Sequence, residues 1–338
     1  MKLRSFSAIL EWNTIPLFLA KNRERAVFGE KMKGLSSQLG AKLRPTGDDS
    51  SALGKLLVAT NGSQRANLGI RRAAQLGMQH NAGLHVQQIV NPETRLPEGE
   101  GCLQALEQVI KDAVNLNCLT VDVGVCPYPD YFIDDETGRA STLLDIASKT
   151  AALLIVLGIH RRDKIRPLLG TLTERLLREG DVPLLIAVND PPAAYNKVIV
   201  AVDFSPLSEQ ALSMALSIAP DAELVLTHAV GATTDGVFVA DGAMEKAVTE
   251  AEVKLGALWE QVVKPVGGTM PPVSLHVKQG PPQKILRQAI AIEQPDLVVM
   301  GTRGRSAIVS TVLGSVAQNI IADPQSDVLV VNFKRTEK

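Results

Sequence analysis

The 338-residue chain carries one pattern written twice, and this repeat limits its fold more than any other feature. KLLVATNGS (55–63) matches KVIVAVDFS (197–205): each is a short β-branched run that ends in Asn or Asp and then Ser. GLHVQQIV (83–90) matches ELVLTHAV (223–230), ALLIVLG (152–158) matches DLVVMG (296–301), and DVPLLIAV (181–188) matches DVLVVNF (327–333). Asn61 and Asp203 lie 142 positions apart, Gly158 and Gly301 143. PPAAYN (191–196) is the joint between the copies. The expected division is an N-terminal helical extension and linker over 1–53, a first domain over 54–190 and a second over 196–334.

Helical stretches separate the apolar runs. In the second copy, Leu212, Ala215, Leu216 and Ala219 recur at helical spacing. Residues 242–263 read as a longer helix with Met244, Val248, Leu255, Leu258 and Val262 to bury, and PVSLHV (272–277) reads as a strand. A helix over 281–293 opens on prolines, which suit a first turn, and a last helix over 313–323 stops near Pro324. The order β-α-β-α-β-α-β-α-β predicts an α/β fold: two tandem domains, each a five-stranded parallel sheet covered on both faces. Ligands of such sheets bind beyond the carboxyl ends of the strands, where the strand order switches. VLVVNF (328–333), strongly β-prone, reads as an edge strand.

The stretch GTRGRSAIVSTVLGS (301–315) leaves a predicted strand at such an end. Gly301 and Gly304 allow close backbone approach and positive φ. Gly314 and Ser315 precede a helix whose free amides and partial positive charge favour phosphate. Ser315 either donates its hydroxyl to a ligand or caps the helix, and Arg303 and Arg305 add charge. Asp203, at the end of the first strand of this copy, can accept from an adenine amine or a ribose hydroxyl, or cap the helix that follows. Val230, at the end of the second strand, can wall an adenine pocket.

The spacing Gly-x2-Gly-x9-Gly-Ser, with V-A-V-D-x-S at the start of the copy, closely resembles the universal stress protein family. The resemblance covers about residues 54–334 and implies a tandem member with a Rossmann-like fold akin to the adenine nucleotide alpha hydrolases. In that family the glycine motif marks members that bind ATP, with magnesium as a companion. Carried over by position, Asp203 and Val230 would contact the adenine-ribose end. Met300, Gly301, Arg303 and Gly304 would follow ribose and phosphates, and Gly314, Ser315 and Val316 would hold phosphates. The resemblance also implies a stress-response regulator in the cytoplasm with a protein partner, and pairing of last strands, either between the two copies or in a homodimer.

The first copy departs from this pattern. Arg161 stands at the second glycine, Gly158 and Gly170 are 12 apart against 13 for Gly301 and Gly314, and Asn61 replaces the aspartate. ATP is therefore expected in the second copy alone. The cluster His160, Arg161, Arg162, Lys164 and Arg166 reads as a solvated basic loop.

Composition excludes other classes. A formal net charge of −1 gives no global attraction to nucleic acid or anionic membrane, and 4% aromatic residues leave little for base stacking. Cys102, Cys118 and Cys126 form no CxxC pair and read as buried thiols. No stretch approaches the ~20 apolar residues of a membrane span, and Glu11, Trp12 and Asn13 break the pattern of a signal peptide. Three readings stand: a nucleotide-binding regulatory module; a slow ATPase or nucleotidyl-transferring enzyme, although GxxxxGK[ST] is missing; and a ligand-free assembly protein.

Overall fold

The computed structural model describes residues 7–8, 54–61, 63, 65–90, 108, 110, 121–127, 135–159, 171–190, 194–231, 243–263, 270–302 and 313–332. The chain divides into two compact units, Met1–Gly158 and Ile159–Lys338. In the first, β1 (Ser7–Ala8), β2 (Lys55–Thr60), α1 (Ala66–His80), β3 (Gly83–Val90), β4 (Val121–Pro127), α2 (Asp135–Lys149) and β5 (Ala152–Gly158) build a parallel sheet in the order β1-β4-β3-β2-β5.

The second unit contains α3 (Leu172–Glu179), β6 (Leu184–Ala187), β7 (Lys197–Ala201), α4 (Pro206–Ile218), β8 (Glu223–Val230), α5 (Ala243–Val263), β9 (Val273–Gln279), α6 (Pro282–Glu293), β10 (Leu297–Gly301), α7 (Ser315–Ala322) and β11 (Asp327–Val331). Its strand order is β6-β11-β10-β7-β8-β9. The five strands from the second repeat are all parallel. Continuous apolar runs mark the strands covered on both faces: Val198–Val200, Leu297–Val299 and Val328–Val331 are wholly shielded from solvent. Strand β9 ends the order and exposes Leu275 and Lys278.

Three expectations need correction. Strand β11 is not an edge: β6, the last strand of the first repeat, pairs with it antiparallel, Leu185 opposite Leu329. The sheet is therefore mixed, mostly parallel, and the compact second unit takes in α3 and β6 of the first repeat. Buried polar groups fix this arrangement. Asp327, fully buried, accepts from the amides of Val188 (2.7 Å) and Asn189 (3.2 Å) and from the Tyr195 hydroxyl (2.8 Å). Asn332 donates from Nδ2 to the carbonyls of Leu176 and Gly180, reaching α3. Finally, Ser7 and Ala8, within the extension expected to be helical, form a short strand on β4, whose outer backbone groups offer pairing partners. The rest of residues 1–53, the basic cluster at 160–166, Cys102 and Cys118 lie outside the described residues.

Local chemistry places the helices. Helix α4 starts on Ser205, whose side chain accepts from the Ser208 amide at 3.2 Å, with Pro206 in the first turn. Helix α1 packs so closely on β5 that a Cβ at Gly69 would lie 2.7 Å from the Gly158 amide. A Cβ at Gly158 would overlap the Arg65 carbonyl oxygen. Gly158, the counterpart of Gly301, thus has a packing reason to be glycine without any ligand.

Candidate functional site

The strand order β11-β10-β7-β8-β9 reverses between β7 and β10. The chain leaves β7 toward β8 on one side and returns to β10 on the other, so the crevice above this pair is the switch point. The two strands run parallel in register, Val200 beside Val299. Asp203 leaves one and Gly301 ends the other, which brings these two sequence-predicted residues to the same end of adjacent strands.

Asp203 is held in a tight turn. Its Oδ1 accepts from the Ser205 amide at 3.0 Å. The cap of α4 is Ser205 instead, so capping does not account for the aspartate. Between them Phe204 takes φ +60°, the left-handed region. For a bulky non-glycine residue this costs on the order of 1–3 kcal/mol. Two contacts offset it: the Phe204 ring lies 4.5 Å from the His228 ring, and His228 Nδ1 is 2.7 Å from the Val202 carbonyl oxygen. In the first repeat the Ser63 amide likewise donates to Asn61 Oδ1, at 3.0 Å, and the Ala66 amide donates to Ser63 Oγ.

The far side is built on α7. Gly314, not Ser315, is its N-cap residue. The Gly314 amide donates to the Thr302 carbonyl at 2.7 Å, and the Thr302 amide donates to Val331, tying the helix start to the ends of β10 and β11. The Gly314 amide is thereby occupied. The next amides, of Ser315 and Val316, open the helix, where no partner exists within the helix itself. Exposed Ser315 sits in the first helical position and half-buried Val316 in the second. The first turn contains no acidic residue, and Gln318 donates from Nε2 to the Leu313 carbonyl at 2.9 Å. Arg287 fixes the other end of α7 through Asn319 Oδ1 (3.0 Å) and the Asp323 carbonyl (2.7 Å).

The corresponding helix of the first repeat, α3, begins differently. Thr171 is its N-cap and accepts from the Glu174 amide at 3.2 Å. Glu174, almost wholly buried, lies in its first turn and pairs with Arg178 at 3.6 Å. A carboxylate from the chain itself thus occupies the positive end of α3, while that of α7 carries none.

The positive φ expected at Gly301 is not found. Gly301 is paired in β10, and Gly314 has φ −61° and ψ +146°, open to any residue. Met300 is buried, and the Val230 carbonyl accepts from Gly280 at 3.0 Å, closing the end of β8. Arg303 and Gly304 lie outside the described residues. Phe204 and His228 were missed by sequence reasoning. The signal was present: Gly62 aligns with Phe204, and glycine is the ordinary occupant of a left-handed position.

A family model described as the universal stress protein family matches residues 53–187 and again 194–332. The chain belongs to the universal stress protein family. A universal stress protein of Thermus aquaticus is 45% identical over 53 residues, 16% of this chain and 39% of that protein. The match thus spans well under half of that relative's length. Among solved structures, a universal stress protein from Archaeoglobus fulgidus superposes with a TM-score of 0.57 at 18% identity, covering 84% of this chain and 100% of that one. A Pseudomonas aeruginosa protein gives 0.60 at 19%, covering 83% and 93%. At such identity these structures establish the shared fold of this universal stress protein. Among the described residues no helix is long and apolar enough to cross a membrane.

Proposed function

We propose that the second repeat of this universal stress protein binds an adenine nucleotide, ATP with or without magnesium, and that occupancy regulates contact with a protein partner. The observation that carries this reading is the contrast between the two helix starts. In α7 the amides of Ser315 and Val316 open a first turn free of acidic side chains, while in α3 Thr171 and Glu174 fill that place from within. Asp203, across the switch point, supplies an acceptor for the nucleoside end. Met300, Gly301 and Val230 surround the same strand ends, and Arg303 and Gly304 continue the chain from β10.

The test is direct. Mass spectrometry of purified, then denatured protein should release an adenine nucleotide, and calorimetry with ATP should give one site per chain. Two equal sites would refute the assignment to the second repeat, and no binding would refute the reading. Phosphate release under single-turnover conditions would turn the module into a hydrolase.

A further inference from the structure

We infer that His228 is a positioning residue for the nucleoside end of the site: one imidazole holds both neighbours of Asp203 and so sets the direction of its carboxylate. The inference rests on the nucleotide reading above. A carbonyl oxygen can only accept, so at 2.7 Å it is His228 Nδ1–H that donates to Val202. The same ring lies against Phe204 at 4.5 Å, with the planes tilted by 48°. Asp203 sits between these two anchored residues, and its Oδ1 is further fixed by the Ser205 amide. Phe204, at φ +60°, would relax toward ordinary backbone without support, and that relaxation would swing Asp203. The first repeat points the same way. There Asn61, Gly62 and Gln88 stand at the positions of Asp203, Phe204 and His228. With glycine in place of phenylalanine, no ring is needed to hold a left-handed residue. The three differences occur together, in the repeat that lacks the other nucleotide features.

The experiment measures adenosine and ATP affinity by calorimetry on the full chain, with thermal stability followed in parallel. His228→Asn keeps a donor near the Nδ1 position, while His228→Gln moves it outward and His228→Ala removes it. Expected losses are about tenfold for both ligands in His228→Gln and His228→Ala, the loss that follows from one misplaced hydrogen bond. His228→Asn keeps the bond to Val202 but loses the ring against Phe204, so its loss should fall between the parent and His228→Ala, at about threefold. Adding Phe204→Gly to His228→Ala should restore adenosine affinity, because glycine holds the turn unaided. A residue that acted only on global stability would show no such rescue, and a residue that touched the nucleotide would not be rescued by a change in the turn. Exchange of the Ser205 amide proton supplies a readout without ligand: it should rise in His228→Ala and return in the double variant. If the parent binds neither ligand, the nucleotide reading fails, and the exchange data alone decide the positioning of Asp203. Parent-like affinity and parent-like Ser205 exchange in His228→Ala would overturn the inference.

Discussion

Replacing Gln318 by Glu gives α7 the first-turn carboxylate that Glu174 gives α3. Two local effects on stability nearly cancel. The Gln318 bond to the Leu313 carbonyl is lost, worth ~0.5–1.5 kcal/mol net. A carboxylate at this position gains ~0.3–1 kcal/mol from the helix dipole. Unfolding free energy should therefore change by less than about 1 kcal/mol. Binding is another matter. A phosphate held by the Ser315 and Val316 amides would lie about one helical turn, ~5.4 Å, along the axis from the new charge, and roughly 7 Å from it once a radial offset of ~4–5 Å is added. At an effective dielectric constant near 20, one unit charge at that distance costs ~2.4 kcal/mol before salt screening. Screening at physiological ionic strength leaves about 1–2 kcal/mol, or roughly 5–30-fold in Kd for ATP. Adenosine has no phosphate and should change by less than about twofold. The assay is calorimetry with both ligands at low and high salt, and the ATP penalty should shrink as salt rises. Unchanged ATP affinity in a folded Gln318→Glu protein would show that no phosphate rests on α7.

Asp203→Asn keeps the turn to Ser205 but removes the ionised acceptor, so ATP and adenosine should weaken alike, by ~1.5–3 kcal/mol in calorimetry. Ser315→Ala should weaken ATP alone and leave the melting temperature nearly unchanged, because Gly314 and not Ser315 is the N-cap residue; a large stability loss would contradict that placement. Tyr195→Phe removes one hydrogen bond to buried Asp327 and should cost ~1–3 kcal/mol in urea unfolding, an effect that disappears in an Asp327→Ala background. His85 is held below its ordinary pKa, chiefly by burial, so its folded state prefers the neutral ring; its stabilising contribution is complete above about pH 6.5 and is lost as pH falls through the folded value. Unfolding titrations of His85→Gln should show less acid destabilisation between pH 7 and 5 than the parent.

The strands and helices of the second repeat were legible because each long apolar run was bounded by a turn signal. Ser205 and Pro206 announce α4, and Pro281 with Pro282 announce α6. The partner of β11 was legible only through the family resemblance, which left pairing between the copies and pairing between chains both open; β6 takes that place. A fully buried strand and a strand waiting for a partner read alike in sequence, since both are short and apolar. What settles the case is Asp327, a single charge at the head of the strand. Its partners Val188, Asn189 and Tyr195 lie more than a hundred positions away. Local patterning cannot encode such a contact. The repeat boundary, near residue 190 in sequence, accordingly differs from the boundary of the compact unit at Gly158/Ile159, because α3 and β6 pack with the second repeat.

At the site, sequence reasoning brought Asp203 and Gly301 to neighbouring strand ends and read the glycines there as points of close approach for a ligand. Gly158 shows a second reason for a glycine at this place: it occupies the motif's first glycine position in the repeat with the broken motif, and its missing Cβ makes room for the start of α1. Glycine at the end of this strand is therefore weak evidence for a ligand. The stronger evidence comes from the pair of residues that violate local preference. Phe204 accepts a left-handed backbone, a conformation that glycine, its counterpart in the first repeat, adopts without strain, and His228 near the end of β8 holds it. A chain under selection for stability alone would be expected to keep glycine in such a turn. Phenylalanine there requires a compensating contact, and the contact found, an imidazole spanning both neighbours of Asp203, orients the Asp203 carboxylate at the switch point. Strain at Phe204, support from His228 and orientation of Asp203 are thus one arrangement, and its purpose is to be sought in what Asp203 holds.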